Sequence, residues 1–276
     1  MELKEDFFDG LEGHKIYYQK WIPEKPKAVV QIIHGGVEHV GRYKHLINYL
    51  TAENIAVYGN DHRGHGKSEG IRNHIKSFDD YVEDCHTLSK IIRKDHKNLP
   101  LFIVGHSMGS LVAQRYILRY QKEIKGAVLS GSGTRIPPLP FILQIMVKIF
   151  SKIWPTFKGS SGIIPEEISS DPESVEDYKN DPLIMYKFGT VAYGACFFKH
   201  YTDIKEKMPT IKIPVLIQKG EFDTMVIDLD ELIEDLKNSD LTVKIYPNAK
   251  HEMYTETKEK REEAFKDFVQ WLEKAL

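Results

Sequence analysis

A serine stands between two glycines in Gly105-His-Ser-Met-Gly109, a G-x-S-x-G pentapeptide. The apolar run Leu101-Phe-Ile-Val leads into it and a helical pattern follows. That context reads as a sharp strand-to-helix turn that lifts the Ser107 side chain into solvent above a sheet. A helix opening at this point also directs free backbone N–H groups toward the serine. A hydroxyl is a weak nucleophile at neutral pH and needs a base. In such an arrangement an acid and then a histidine follow the serine along the chain. The run Val215–Gln218 is followed by Lys-Gly-Glu-Phe-Asp223, which offers Asp223 as the acid with Glu221 as its competitor. The run Thr242–Tyr246 is followed by Pro-Asn-Ala-Lys-His251, which offers His251 as the base. Most other histidines precede Ser107, against this order, and His200 lies in a stretch of different character.

Acyl transfer through a serine also needs donors for the oxyanion. His34-Gly-Gly-Val-Glu-His39 follows the first strong apolar run. Without side chains at Gly35 and Gly36, a backbone N–H can approach a substrate carbonyl. The N–H of Met108, directly after the serine, is the second candidate donor. This chemistry calls for no cofactor. Twelve histidines invite a metal reading, but His34, His39, His62, His65 and His74 read as scattered over loops. With no H-E-x-x-H or Cys-x-x-Cys spacing, no metal is expected. Neither G-x-x-x-x-G-K-[ST] nor G-x-G-x-x-G occurs, so nothing points to a bound nucleotide.

The elements that must position these groups show in the hydrophobic pattern. Ala28–Ile33, Ala56–Tyr58, Leu101–Val104, Gly126–Leu129, Val215–Gln218 and Thr242–Tyr246 are short apolar runs. Continuous runs closed by Gly, Asp or Pro suit parallel strands buried on both faces. Ser77 with Asp80 resembles a capping box, and Phe78, Tyr81, Val82, Cys85, Leu88, Ile91 and Ile92 keep helical spacing after it. Ser107–Tyr120 continues the pattern, and Ala264, Phe265, Phe268, Val269, Leu272 and Leu276 form an amphipathic stripe. Strands alternating with helices predict an α/β fold. The alternation stops between Thr134 and Met208. Residues 1–134 and 209–276 therefore read as the core, and 135–208 as an inserted cap over the sheet's carboxyl edge, where open α/β sheets bind ligands. Phe141 to Trp154 predicts about four helical turns. Their apolar positions nearly encircle the helix. It is therefore either buried or exposed toward an acyl chain and a lipid surface.

Composition bounds the rest. In 276 residues, 41% are hydrophobic and 28% charged, as in ordinary globular proteins. Thirty-eight basic and 40 acidic residues leave a net charge of −2, which argues against nucleic acid as a partner. Two cysteines make no disulfide framework, so a reducing, cytoplasmic setting is expected. The stretch from Met1 to Phe8 lacks a signal peptide's pattern. The longest apolar stretch, Ile136–Phe150, falls short of the ~20 residues of a membrane span. Transient contact with a membrane surface through the cap is the remaining expectation.

Four segments are more specific than the pentapeptide alone: His34-Gly-Gly-Val-Glu-His-Val-Gly-Arg-Tyr43, Asp61-His-Arg-Gly-His-Gly-Lys-Ser-Glu-Gly70, Gly105-His-Ser-Met-Gly109 in their company, and Tyr178-Lys-Asn-Asp-Pro-Leu183. With them, nearly the whole chain resembles the monoacylglycerol lipase group of the α/β-hydrolase superfamily, which also holds lysophospholipases and esterases. The resemblance implies an α/β-hydrolase fold: a mostly parallel central sheet flanked by helices, with an inserted helical cap. It implies cleavage of monoacylglycerols, small lipid esters, to fatty acid and glycerol. Position by position it implies Ser107 as nucleophile, Asp223 as acid, His251 as base, and backbone donors at Gly36 and Met108. It puts Glu38, Arg42, His106 and Tyr178 at the substrate, and has the Asp61–Gly66 stretch brace the site. Three positions depart from the group's pattern: Ser110 and Val37 replace the usual glycines, and Thr224-Met-Val replaces a two-valine pattern. A lysophospholipase or a short-chain carboxylesterase would use the same machinery. A non-catalytic scaffold would have lost a triad member, and a dehalogenase-type enzyme would carry Asp in place of Ser107.

Overall fold

The computed structural model describes residues 2–276; Met1, where the expected leaderless start begins, lies outside the described residues. The elements run β1 (Glu2–Asp9), β2 (Lys15–Ile22), β3 (Ala28–Ile33), α1 (Lys44–Ala52), β4 (Ile55–Asn60), α2 (Phe78–Asp95), β5 (Leu101–His106), α3 (Met108–Tyr120) and β6 (Gly126–Ser130). They continue with α4 (Phe141–Ile153), β7 (Lys158–Gly159), α5 (Pro172–Asn180), β8 (Gly189–Thr190), α6 (Val191–Ile204), β9 (Val215–Gly220), α7 (Leu229–Asp235), β10 (Leu241–Tyr246) and α8 (Lys258–Ala275). Eight strands form one sheet in the order β1-β2-β4-β3-β5-β6-β9-β10. All neighbours from β4 to β10 are parallel, while β1–β2 and β2–β4 are antiparallel.

Every residue of β3, β4, β5 and β6 is buried, which is why these strands read as mainly apolar runs. Successive side chains still alternate between two cores. Val29, Ile33, Leu101 and Ile103 pack under α2 and α3. Val30, Ile32, Phe102 and Val104 pack under α1 and α8. Strand β3 has β4 on one side and β5 on the other, so the order reverses there and opens a crevice at the carboxyl ends. The chain leaves β3 into His34-Gly-Gly and leaves β5 into Ser107.

Three local expectations need correction. Strand β10 is an edge strand with Lys244 and Ile245 exposed, not one buried on both faces. The N-terminal hairpin was not read from the sequence: Leu3 and Phe7 of β1 face solvent among charged residues, while Phe8, Ile16, Tyr17 and Tyr18 are buried. The side chain of Ser77 caps α2 through Asp79 N at 3.1 Å rather than through Asp80. Leu276 ends the α8 stripe in solvent, while Ala264 to Leu272 pack on the sheet.

Between β6 and β9 the chain leaves the sheet for α4, α5, α6 and the two-stranded ribbon β7–β8. This segment is fastened to loops that follow the carboxyl ends of the strands. Met185 N donates to Val37 O, Asn73 Nδ2 donates to Met185 O and Phe188 O at 2.8 and 2.7 Å, and Glu252 N donates to Ile168 O at 2.7 Å. Helix α4 packs on α6 and has no buried residue; Phe141 and Ile153 are 74% and 77% exposed. Of the two readings of this helix, the structure has the exposed one. No helix among the described residues is long and apolar enough to cross a membrane.

Candidate active site

Ser107 joins β5 to α3 at φ 53° and ψ −121°. A non-glycine residue there costs about 1–3 kcal/mol and persists only where its surroundings enforce it. The enforcement is visible. Ser107 N donates to Ser130 O at 2.9 Å, and Ser107 O accepts from Ser110 N at 2.8 Å and from Ser110 Oγ at 2.7 Å. The serine that departs from the group's glycine thus adds a bond to the turn. A side chain on Gly109 would overlap the carbonyl oxygens of Ile33 and His34, and one on Gly105 would overlap Gly109 O. The two glycines let α3 press against the ends of β3 and β5.

Asp223 and His251 meet beyond the ends of β9 and β10. His251 Nδ1 lies 3.0 Å from Asp223 Oδ1, with the side chains almost wholly buried. The contact is close but not well aimed, since neither ring nitrogen of His251 attains hydrogen-bond geometry among the described residues. Asp223 Oδ1 also accepts from Met225 N at 2.9 Å, and Oδ2 is paired with Lys219 Nζ at 2.9 Å. Burial pushes the Asp223 carboxyl up, but His251 and Lys219 outweigh it and hold the group far below the usual carboxylate range. Glu221, the competing carboxylate, instead accepts from Asn248 N at 3.0 Å in the β9–β10 turns. His106 packs beside His251 with ring centroids 4.9 Å apart. Burial, then the neighbouring His251, lowers His106 to about 4, so it stays neutral at physiological pH.

The turn after β3 is clamped from both sides. His34 Nε2 accepts from His62 N at 2.8 Å, which leaves the proton on Nδ1 to bond Gly35 O at 2.7 Å. Gly35 N donates to Glu38 Oε1 at 2.6 Å. In a trans peptide the C=O and the following N–H point opposite ways. Holding Gly35 O against His34 therefore turns Gly36 N–H away from His34. Val37 sits at φ 60°, a true outlier for a β-branched residue. Its side chain packs with Ile168, Tyr178 and Ile184. The Asp61 carboxylate stitches the next loop to this one, accepting from Val40 N at 2.9 Å and Lys67 N at 2.8 Å. Arg63 forks onto the buried Asp84 at 2.7 and 2.8 Å.

Glu38, Arg42, His106 and Tyr178 are brought together, but as an enclosed network. Arg42 Nη1 donates to Glu38 Oε2 at 2.6 Å, and its two Nη atoms reach both oxygens of Glu252 at 2.8 and 2.7 Å. Tyr43 Oη donates to Glu38 Oε1 at 2.7 Å. The Arg42 guanidinium lies 4.6 Å over the Tyr178 ring. Glu38, Arg42, His106 and Glu252 line one small cavity with Tyr43, Tyr254 and Thr255. The histidines read as scattered are partly gathered: the rings of His34, His62 and His65 lie 4.2 to 6.3 Å apart. His39 instead pairs with Asp181 at 2.9 Å and His74 with Thr190 Oγ1 at 3.0 Å. Among the described residues no group of His, Cys, Asp and Glu is placed to hold a metal ion. Cys85 and Cys196 are free and buried.

Sequence reasoning did not single out Lys219, Glu252 or Tyr193. Lys219 stands four residues before Asp223, within reach of it at a strand end. Glu252 directly follows His251 but finds its partner, Arg42, 210 positions earlier. Tyr193 lies in the inserted segment, whose contacts no local pattern reveals.

The family model described as serine aminopeptidase, S33, matches residues 24–258. A monoacylglycerol lipase from Mycolicibacterium smegmatis is 30% identical over 275 residues, 97% of this chain and 96% of that one. A monoglyceride lipase from Homo sapiens is 28% identical, covering 95% and 88%. The crystal structure of a Paleococcus ferrophilus monoacylglycerol lipase matches with a TM-score of 0.83 at 28% identity, over 100% of both chains. With an eight-stranded sheet of the same kind and matches across its whole length, the chain belongs to the serine aminopeptidase S33 family, within the monoacylglycerol lipase-like group of the α/β-hydrolases.

Proposed function

We propose that the protein is a serine hydrolase of monoacylglycerols, releasing fatty acid and glycerol through an acyl-enzyme. The observation that carries the reading is the buried Asp223–His251 contact at the same sheet edge as the strained Ser107 turn. Ser107 Oγ attacks the ester carbonyl while His251 takes its proton. Asp223 holds the imidazole's tautomer and stabilises the imidazolium. The oxyanion lies between Gly36 N–H and Met108 N–H, and the protonated histidine hands its proton to the leaving glycerol. Water then repeats the sequence on the acyl-enzyme. Residues 135–208 act as the cap over this site. The fatty monoester follows from the relatives' named substrates and from the apolar side chains that the cap exposes.

Glu38 and Arg42 serve this chemistry as positioning groups. Glu38 holds Gly35 N–H, Arg42 holds Glu38, and Glu252 holds Arg42.

With monoolein as substrate, Ser107→Ala and His251→Ala should each lower kcat on the order of 10⁶-fold, with the double variant little worse. Turnover on monoolein should exceed that on lysophosphatidylcholine, p-nitrophenyl butyrate and an aminoacyl anilide. Full activity in Ser107→Ala, or preference for the anilide, would end this reading.

The two carboxylates separate by tautomer. Asp223→Asn should cost up to ~10⁴-fold in rate while keeping the fold. Glu221→Gln should change the rate only slightly, and a reversed ranking would move the acid to Glu221.

Framework and substrate-binding roles for the Arg42 network differ in their pH signature. Burial raises the Glu252 carboxyl, but Arg42 outweighs it and lowers the group from 4.5 to about 2. A depressed carboxyl stabilises the fold fully above its unfolded pKa and loses that contribution as pH falls through its folded one. The stability gap between wild type and Glu252→Gln, read from urea melts, should be widest near neutrality and close between about pH 4.5 and 2. A gap that does not change with pH would show that the pair adds nothing to the frame.

Helix α4 supplies the contact with lipid. Phe141, Ile142, Ile145, Ile149, Ile153 and Trp154 are exposed, with Lys148 and Lys152 among them. Such a face suits the boundary of a lipid surface. Ile145→Glu and Ile149→Glu should weaken sedimentation with phosphatidylcholine vesicles and slow monoolein hydrolysis more than p-nitrophenyl butyrate hydrolysis. Unchanged vesicle binding would remove the helix from this role.

A further inference from the structure

Helix α6 is capped by Thr190, whose Oγ1 accepts from Tyr193 N at 3.3 Å. Tyr193, one turn in, sends its buried side chain from the inserted segment down to the turn after β3. A Cβ built on Gly36 would lie 2.6 Å from Tyr193 Oη and 3.8 Å from Met108 Cβ. The hydroxyl itself donates to Met108 Sδ at 3.0 Å. One hydroxyl thus touches both residues whose backbone N–H groups are the proposed oxyanion donors.

That hydroxyl spends its proton on a poor acceptor. A thioether sulfur accepts only weakly, whereas an oxyanion accepts a charge-assisted bond about twice as strong as a neutral one. Burial pushes the Tyr193 phenol up, so it remains a donor throughout the working pH range. The ring is also fixed beforehand, edge-on to Phe197 at 5.3 Å and tilted against His65 at 5.9 Å. Donors that need no reorganisation as charge develops give the largest electrostatic effect on rate.

We propose that Tyr193 is a catalytic residue: a third oxyanion donor, carried by the inserted segment. As the tetrahedral oxyanion forms between Gly36 and Met108, the Tyr193 O–H leaves Met108 Sδ and bonds to it, and returns when the intermediate collapses. The phenol keeps its proton, so no covalent bond of Tyr193 is made or broken. The inference rests on the reading of Ser107 as nucleophile. It makes the site complete only while the start of α6 is seated on the turn after β3.

The test compares wild type with Tyr193→Phe, which keeps the ring and removes only the hydroxyl. Monoolein kinetics are measured beside the inhibition constant of an alkyl trifluoromethyl ketone, whose adduct with a serine carries the oxyanion. The expected result is a fall in kcat of about 10²-fold, the size of effect seen for single oxyanion donors. KM should change little, and the ketone should bind more weakly by the same factor as kcat/KM falls. Turnover as fast as wild type or faster, or ketone affinity unchanged, would overturn the proposal. Complete labelling of Ser107 by a fluorophosphonate in Tyr193→Phe tests the nucleophile separately, so failure of the two readings can be told apart. Should Tyr193→Phe melt early, Met108→Leu removes the competing sulfur and leaves the hydroxyl. Ketone affinity kept or improved there supports donation to the oxyanion. Affinity lost there by about 10²-fold would show that the O–H···S contact is what matters, and would overturn it.

Discussion

The orientation of one peptide plane, between Gly35 and Gly36, organises much of the surrounding structure. Its carbonyl, that of Gly35, is held by His34 Nδ1–H, and the N–H of the preceding plane, that of Gly35, donates to Glu38. Each holder is itself held. His34 is fixed by the backbone of the next loop through His62 N, and Glu38 by Arg42 and Tyr43. Two glycines in sequence would leave this turn among the most mobile parts of the chain. Here a buried 2.6 Å bond to the Glu38 carboxylate and a 2.7 Å bond to neutral His34 hold it, and bonds to ionised groups are roughly twice as strong as neutral ones. The histidine-rich loop and the long-range Arg42–Glu252 pair become intelligible as supports of the two peptide planes that flank Gly35.

The same turn is where the inserted segment touches the core. Val37 accepts a left-handed backbone to put its side chain against Ile168, Tyr178 and Ile184, and its carbonyl accepts from Met185 N. Strain of this kind requires surroundings that over-determine it, and the two sides supply them together. Asp181 adds an ion pair to His39, and Asn73 reaches two carbonyls of the segment. Movement of the segment would therefore be felt at Gly36 as well as at the mouth of the site. That ties the position of the inserted segment to the turn after β3 without a separate relay.

How far the sequence could be read depended on how local each signal was. The inner strands announce themselves because burial on both faces makes their residues predominantly apolar, with Gln31 of β3 the internal exception, bonded to α2. The Ser107 turn is equally local, since Gly105 and Gly109 answer to steric contacts within a few residues and at the end of β3. The N-terminal hairpin gave no such signal, being half solvated and paired across charged side chains. The contacts of Glu38 and Arg42 were hidden for a different reason. Their partners are a backbone N–H three residues away and a carboxylate 210 positions on, and only the folded sheet edge brings these into register. The choice between Asp223 and Glu221 was likewise one of turn geometry: two residues' difference in the turn after β9 sends one carboxylate to His251 and the other to Asn248 N.

Charge around His251 follows from the same arrangement. A histidine that takes a proton in a buried site must find compensation there, because desolvation penalises the cation. Asp223 faces it with Oδ1 while Oδ2 is occupied by Lys219, so the nearest anion is already half neutralised. The neighbouring ring, His106, is kept neutral and so adds no repulsion. Beyond His106 lies the network of two carboxylates, Glu38 and Glu252, on one guanidinium, Arg42, which leaves an uncompensated negative charge. Both carboxylates are close enough to favour a proton on His106, and His251 packs directly against that ring. The network that holds the turn after β3 thus reaches, through His106, the ring of His251.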